Sequence, residues 1–579
     1  MSSSSHWWRH DSRRWRSGPW TLELRDDELA EISVNNRMLV RSVRAVVRDN
    51  GWNTVPVRVL AVDDGADALR LELEHDGLGA SIRSYLRVER EPDALVVTWE
   101  ATNGANFDTC RTGLVVLHPP TDAGKPVRVE HSDGAITHGS LPIDISPHQP
   151  IFDIRELRIG DDTAHTTIRF AGDIFEMEDQ RNWTDASLKT YSRPLALPFP
   201  YPLGAGERVM QSLRISGSDG APHALSIADA DGAESITVED SGCLPTLGVE
   251  AATAPDPIPV TSIGSFRTVE LNLATASWRA ALERAARDRL PLDVRIVSDG
   301  STAHLRSAAA ALAAHNVVRV MVCETEWHIS DAPLVAELRA ALHEAGSTAA
   351  VWGGTRSHFT ELNREFARVP ADVDGIMCTV TPLFHSVDTE QLVESVAMQR
   401  LIARQIVRMA AGKPVHIGPV ALRPRFNNVA TRPQPLPTRS DLSQGYGAEF
   451  TGSVDHRQSA QELAAWTLAS ITALSVAGID SLAYFETWGP RGLIDDTNQL
   501  TPAGDMLQQL SAHSGEPTAS GCSTDGLVWA LAVSPDSAPA ITYVANLDRH
   551  ERTVTVRNDG TDSAAVTVPA GGWVRVGRE

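Results

Sequence analysis

Between about Val260 and Gly515 the apolar residues switch repeatedly between two periods, and no other feature constrains the fold as much. In WRAALERAARDR, Trp278, Ala281, Leu282 and Ala285 fall on one helical face. The apolar run LDVRIVSD follows. SAAAALAAHN leads into VVRVMVCETEWH, and APLVAELRAALHEAG into STAAVWGGTRSHFTELN. DGIMCTVTPLFH, a helical stretch from Thr389 to Ala411, KPVHIGPVALRPRFN, QELAAWTLASITALSVAG and DSLAYFETWGPRG continue the series. Alternating β and α segments over roughly 250 residues have the size and rhythm of a (β/α)8 barrel. Seven strands are clear, beginning with RTVELNL. The eighth is expected to be short and near Gly492–Asp496. In TPAGDMLQQL, Thr501 is placed to cap a closing helix with Pro502 at its first position.

The flanks have a different period. From Trp20 to about Ile215, runs such as LRLELEH, IRSYLRVER and ALVVTWEAT alternate apolar and polar residues between Asp/Gly/Asn turns, the pattern of an antiparallel sandwich. RTGLVVLHPP is similar to a strand of the galactose-mutarotase-like supersandwich. After Gly515, GLVWALAVS, AITYVANL, RTVTVRN and GWVRVG read as a small β-domain. The expected division is a disordered tail (1–18), an N-terminal antiparallel β-supersandwich (19–255), a TIM-barrel catalytic domain (256–515) and a small C-terminal β-sandwich (516–579).

Charge and composition remove several functions. A net charge of -22 with no Lys/Arg stripe speaks against nucleic acid. No apolar run approaches the ~20 residues that span a membrane. MSSSSHWWRHDSRRWR lacks the apolar core of a secretory signal. Cys110, Cys243, Cys323, Cys378 and Cys522 lie far apart and read as free thiols of a reducing compartment, so a cytoplasmic location is expected. HxH, HExxH, CxxC, GxGxxG, GxxxxGK[ST] and GxSxG are all absent. No metal or cofactor is expected, and the usual serine-hydrolase route is removed. Association as a homo-oligomer stays open.

In these barrels the active site is built at the C-terminal ends of the strands. Counted from RTVELNL, strand three ends in Glu324, Glu326, Trp327 and His328, and strand four in Arg356, His358, Glu361 and Asn363. Strand five ends in His385, strand six carries Arg423, Arg425 and Asn427, and strand seven ends in Glu486, Trp488 and Arg491. Five polar ends in succession point to a site there. Glu486, Glu361 and Glu326 are the candidate catalytic carboxylates. Each has a bland alternative: Glu486 paired with Arg491, Glu361 starting a helix, and Glu326 in a salt bridge. His328, His358, Asn363, His385, Arg423, Arg425, Asn427 and Trp488 are candidate substrate contacts. His416, in VHIGP, is expected to face the barrel interior.

A polar-aromatic block, FEMEDQRNWTDASLKTYSRPLALPFPY, interrupts the end of the first β-region. Buried charges are costly unless paired, while a solvated loop explains neither Trp183 nor Tyr191. This block, GGTRSHFTELNRE, TPLFHSVD with its following LVES, and KPVHIGPVALRPRFN resemble the signature of the D-apionate lactonase family. Two positions depart from the family pattern: Thr381-Pro382-Leu383 stands where relatives have Asn-Pro-Gln, and Arg356 where they have Asn. The resemblance implies sandwich, barrel and β-domain in that order, and hydrolysis of an aldonolactone of apiose catabolism without metal. A carboxylate would activate water, and His or Arg donors would hold the oxyanion. The block would lean over the barrel mouth, with Glu178, Asp179, Arg181 and Asn182 touching a polyol and Trp183 stacking on it. Two other readings remain at this point. One is a retaining, exo-acting glycosidase of furanoside type, with Glu361 as acid/base and Glu486 as nucleophile about 5 Å apart. The other is a sugar-binding protein without catalysis.

Overall fold

The computed structural model describes residues 7–8, 12–218, 234–256, 261–429, 436, 438–446, 453–535, 539–558, 561–562 and 564–577. Its N-terminal part is two nine-stranded antiparallel sheets face to face. Alternating strands bury Leu69, Leu71 and Leu73, Leu86 and Val88, and Val97 and Trp99 between them. The first strand, Arg13–Ser17, pairs with Trp20–Arg25, and Trp7 is buried. The expected disordered tail is therefore corrected at these residues; residues 1–6 and 9–11 lie outside the described set.

The barrel closes differently from the sequence expectation. Its strands are β1 (Thr246–Glu250), β2 (Arg267–Asn272), β3 (Leu292–Ser298), β4 (Val317–Glu324), β5 (Ala350–His358), β6 (Ile376–Val380), β7 (Val415–Val420) and β8 (Ile479–Trp488). All are parallel, and β1 pairs with both β2 and β8 to shut the ring. The missing strand is thus the first, TLGVE, drawn by sequence into the sandwich. The expected eighth strand exists only as Gly492–Ile494, which pairs with β8 outside the ring. Every strand number of the sequence count rises by one. Helices α1 (Trp278–Ala286), α2 (Thr302–Leu312), α3 (Ala332–Glu344), α4 (Phe359–Glu365), α5 (Thr389–Ala410), α6 (Glu462–Leu474) and α7 (Pro502–Ser511) surround the strands. Thr501 caps α7 by accepting from the Gly504 amide, and Pro502 occupies the first turn, as expected.

The C-terminal sheets borrow from ahead of the barrel. Glu239–Cys243 pairs with Pro517–Cys522, and Glu234–Thr237 lies parallel to Arg552–Asn558. The chain therefore passes through the C-terminal β-domain before entering β1, a correction to the 19–255 boundary. Trp529, Leu531 and Tyr543 extend the barrel's own core, which fixes this domain against it. No described helix is long and apolar enough to cross a membrane.

Candidate active site

The barrel interior carries charge in two layers. In the lower layer Asp293, buried on β3, meets Arg319 Nε at 3.1 Å and His416 Nε2 at 3.4 Å. Arg319 also donates to Ser481 Oγ at 2.8 Å. His416 faces the interior as expected; burial, then Arg319, drives its imidazole well below the ordinary range, so it is neutral.

The upper layer is the mouth, and its centre is Arg425 in the loop after β7. Its Nη1 donates to Glu250 Oε1 on β1 at 2.7 Å and lies 3.5 Å from Glu270 Oε2 on β2. Its Nη2 donates to the Arg356 carbonyl at 2.9 Å. Arg356 donates to Glu270 Oε1 at 2.6 Å and to His328 Nδ1 at 3.1 Å. His328 thus carries its proton on Nε2. Burial, then Arg356, lowers it to about 3. His358, pushed to about 3 by burial and then Arg425, is neutral as well. Burial works to raise Glu270, but Arg356 and Arg425 outweigh it and hold the carboxyl below the ordinary range.

A bulge aims Arg356 at this cluster. Gly354 pairs with Met377 but His358 with Thr379, so β5 carries extra residues between them. Gly354 has φ +136°, and a Cβ there would lie 2.1 Å from the Met377 carbonyl oxygen, so only glycine fits. Two other backbone positions at the mouth are strained: His328 (φ +56°) and Phe485 (φ +51°), the residue before Glu486.

Glu486 and Glu250 are register partners across the β1–β8 closure. Glu486 Oε2 accepts from the Thr253 amide at 2.8 Å, Oε1 from Thr253 Oγ1 at 2.9 Å, and Arg491 pairs with it. Both oxygens are engaged. Burial raises the Glu250 carboxyl; Arg425 opposes this and Glu486 adds to it.

Glu361 lies in the first turn of α4. The residue is half-buried, yet its Oε2 is fully enclosed with no hydrogen-bond partner among the described residues. Oε1 accepts from Asn428, two residues after Phe426 in the loop that carries Arg425. Burial pushes this carboxyl up to about 7. Arg295, on β3 in register with Glu270, is 1% exposed, and none of its three nitrogens has a hydrogen-bond partner among the described residues. The mouth therefore holds Glu250, Glu270, Glu361 and Glu486 with Arg295, Arg356, Arg425 and Arg491. Four acids face four arginines there, and fixed guanidinium groups of this kind favour developing negative charge beside them.

The structure brings together Glu486, His328, His358 and Arg425 from the sequence candidates, and Glu361 joins them through Asn428 on the loop that carries Arg425. Glu326 is exposed in the loop after β4, outside this buried cluster. Arg423 pairs with Asp455 at 3.0 Å, and Trp488 donates to the Pro255 carbonyl at 3.3 Å. Asn427 donates to the Gly51 carbonyl of the sandwich at 3.1 Å, and Asn363 to Asn182 Oδ1 at 2.9 Å. Both are ties between domains. Sequence reasoning missed Glu250, Glu270 and Arg295. A signal was available for the last two: single charges inside the apolar strands RTVELN and LDVRIVS.

The polar-aromatic block forms the seam between sandwich and barrel. Arg181 grips Asp179 with two bonds of 2.7 Å and donates to the carbonyls of Pro142, Ile143 and Asp144. Asp179 also accepts from the Ser146 amide. The pair is spent inside the protein, which fixes the 142–146 segment and leaves it little capacity to contact a polyol. Glu178 pairs with Lys189 at 2.7 Å and with Arg364 at 3.5 Å, which outweigh burial and hold it far below the carboxylate range. Trp183 stacks on Phe384 at 4.5 Å, with His358 and His385 at 5.2 and 5.5 Å. His385 faces Asp185 at 2.9 Å, on the seam rather than in the mouth.

A sandwich set over the polar mouth of a (β/α)8 barrel defines the class: a multidomain barrel enzyme. The family is specific. Residues 3–220 match the N-terminal domain of D-apionate lactonase, and residues 265–515 match its TIM barrel domain. The chain belongs to the D-apionate lactonase family. It is 29% identical over 539 residues to the D-apionate lactonase of Brucella anthropi, covering 84% of each chain. Among solved structures it is similar to SrfJ from Salmonella typhimurium (11% identity, 66% of this chain and 97% of that one, TM-score 0.37). A putative aldose 1-epimerase from Escherichia coli K12 aligns with 36% of this chain and 99% of its own (12% identity, TM-score 0.26).

Proposed function

We propose that this chain opens a sugar lactone, D-apionolactone, to the aldonate at the barrel mouth, with Glu361 as the proton shuttle. The observation that carries this is a carboxyl pushed by burial to about 7, with one enclosed oxygen that makes no hydrogen bond of good geometry and the Ser357 hydroxyl near the carboxyl. A general base works best when its pKa lies near the working pH. The Glu361 carboxylate takes a proton from water as the water oxygen bonds to the lactone carbonyl carbon. The carbonyl electron pair moves to its oxygen, facing the Arg295–Arg425 side of the mouth. As the tetrahedral intermediate collapses, the bond from that carbon to the ring oxygen breaks, and Glu361 returns the proton to the ring oxygen. The product acid ionises beside the arginines. Glu486, bound on both oxygens, positions Thr253 and Arg491 and so fixes the β1–β8 junction.

The glycosidase reading rested on acids following strands four and seven. They follow the fifth strand and end the eighth, so its placement argument is gone. Five cysteines with free thiols support action in a reducing, cytoplasmic compartment, which cell fractionation checks. The direct test is turnover: D-apionolactone against a panel of nitrophenyl furanosides. Opening of the lactone alone supports the proposal, and cleavage of a furanoside without lactone opening refutes it.

A further inference from the structure

A second polar chamber lies outside the mouth. It is a cavity of about 140 Å³ in the seam between the sandwich sheet that carries Arg48, Arg111 and Lys189 and the loop after β6 that carries His385. One enclosed water needs only about 10–15 Å³, so the chamber has room for a ligand of many heavy atoms. Four of its lining side chains hold a buried polar atom with no partner among the described residues: Arg44 Nε, His75 Nε2, Arg111 Nε and Gln180 Oε1. Native interiors leave few such atoms, and each is costly.

Arg111 is the decisive one. It is 4% exposed, and its guanidinium makes no hydrogen bond or ion pair among the described residues. It lies instead 3.6 Å over the Tyr191 ring and 5.4 Å from that of Trp52. The other cations of the chamber are committed. Lys189 pairs with Glu178, Arg48 donates to the Trp52 carbonyl, Arg44 pairs with Glu28 and Asp388, and Arg41 with Glu28 and Glu394. The lining also carries five acids, Asp27, Glu28, Asp185, Asp388 and Glu390, against the five cations Arg41, Arg44, Arg48, Arg111 and Lys189; burial, with Arg111 contributing, lowers Lys189 to about 8 and Arg48 to about 10. One free planar fork matches one carboxylate side-on. Gln180 Oε1 offers an acceptor for a hydroxyl beside it.

We propose that this seam cavity binds the carboxylate of a short polyhydroxy acid, gripped by Arg111. The choice of a polyhydroxy acid rests on the lactonase reaction, whose product is of that class; the anion site does not. An aromatic cluster links this chamber to the mouth, since Trp183 contacts both His385 and His358.

The test is calorimetric titration of the full chain with sodium gluconate, with glucitol as the uncharged control and inorganic phosphate as the bare anion. The Arg111→Met variant keeps the stem over Tyr191 and removes the charge. Expected are saturable gluconate binding, at least tenfold weaker in Arg111→Met, no saturable binding of glucitol, and weaker binding of phosphate. Gluconate affinity equal in the variant overturns the assignment, and so does phosphate or glucitol binding as tight as gluconate. Should Arg111→Met fail to fold, Gln180→Met decides: unchanged gluconate affinity overturns the site, and weakened affinity supports it. Gluconate binding without turnover of D-apionolactone sinks the reaction and leaves this site standing; turnover with no effect of either substitution sinks only the site.

Discussion

Replacing Glu361 with Gln should lower turnover and raise stability at alkaline pH. The carboxyl stands at about 7 in the folded protein against an ordinary 4.5. At 1.36 kcal/mol per unit this is roughly 3 kcal/mol, an upper bound because the site can relax on ionisation. The sign follows from the raised value: protonated Glu361 is tolerated below about 4.5, and its advantage is lost as pH rises through about 7. Glutamine resembles the protonated form at every pH. Between pH 5 and pH 8 the variant should therefore gain most of that roughly 3 kcal/mol relative to the native chain. Paired guanidinium unfolding curves at the two pH values measure it. kcat on D-apionolactone should fall by about 10²–10⁴, the usual worth of a positioned acid-base group. A stability difference that does not change with pH would refute the elevated carboxyl, and an unchanged kcat would refute the shuttle.

Three further substitutions separate chemistry from scaffolding. Arg425→Met leaves Glu250 and Glu270 facing each other without their shared cation, and should cost about 3–5 kcal/mol by thermal unfolding, partly restored by adding Glu250→Gln. Arg295→Met removes a buried guanidinium that makes no hydrogen bond and only a 3.9 Å pairing with Asp293, which keeps Arg319 at 3.1 Å, so the melting temperature should change little. kcat should nonetheless fall about a hundredfold or more if Arg295 faces the oxyanion, and an unchanged kcat removes it from the reaction. Asp179→Ala or Arg181→Ala breaks a buried pair and should cost about 3–5 kcal/mol, with normal KM and kcat in the folded fraction; an intact melting temperature with a raised KM would return the pair to the substrate site.

The order sandwich, barrel, β-domain was legible because each part has its own apolar period, and period is a local property. Barrel closure is not local. TLGVE is a five-residue strand with no helix before it, so nothing nearby distinguishes it from the sandwich, and only pairing with β8, more than two hundred residues on, makes it β1. The same holds for Glu234–Cys243, whose partners lie beyond the barrel. Glu486 was a candidate because it follows the apolar run SLAYF at a strand end, whereas Glu361 came from the loop-like stretch GGTRSHFTELN and lies in the first turn of α4. Glu250, Glu270 and Arg295 sit within strands, where a charge reads as a solvated edge until the ring turns it inward. The block around Arg181 shows the converse: a dense run of charge looked like a ligand wall, but its partners, the carbonyls of residues 142–144, carry no signature in sequence.

The central claim is that lactone chemistry occurs at the barrel mouth. A crystal structure with a hydrolysis-resistant lactam analogue of apionolactone tests it most directly. The account predicts the lactam carbonyl within hydrogen-bonding reach of Arg295 or Arg425 and its carbonyl carbon facing Glu361 Oε2. A lactam seated in the seam beside Arg111 and His385, with the mouth empty, would contradict it.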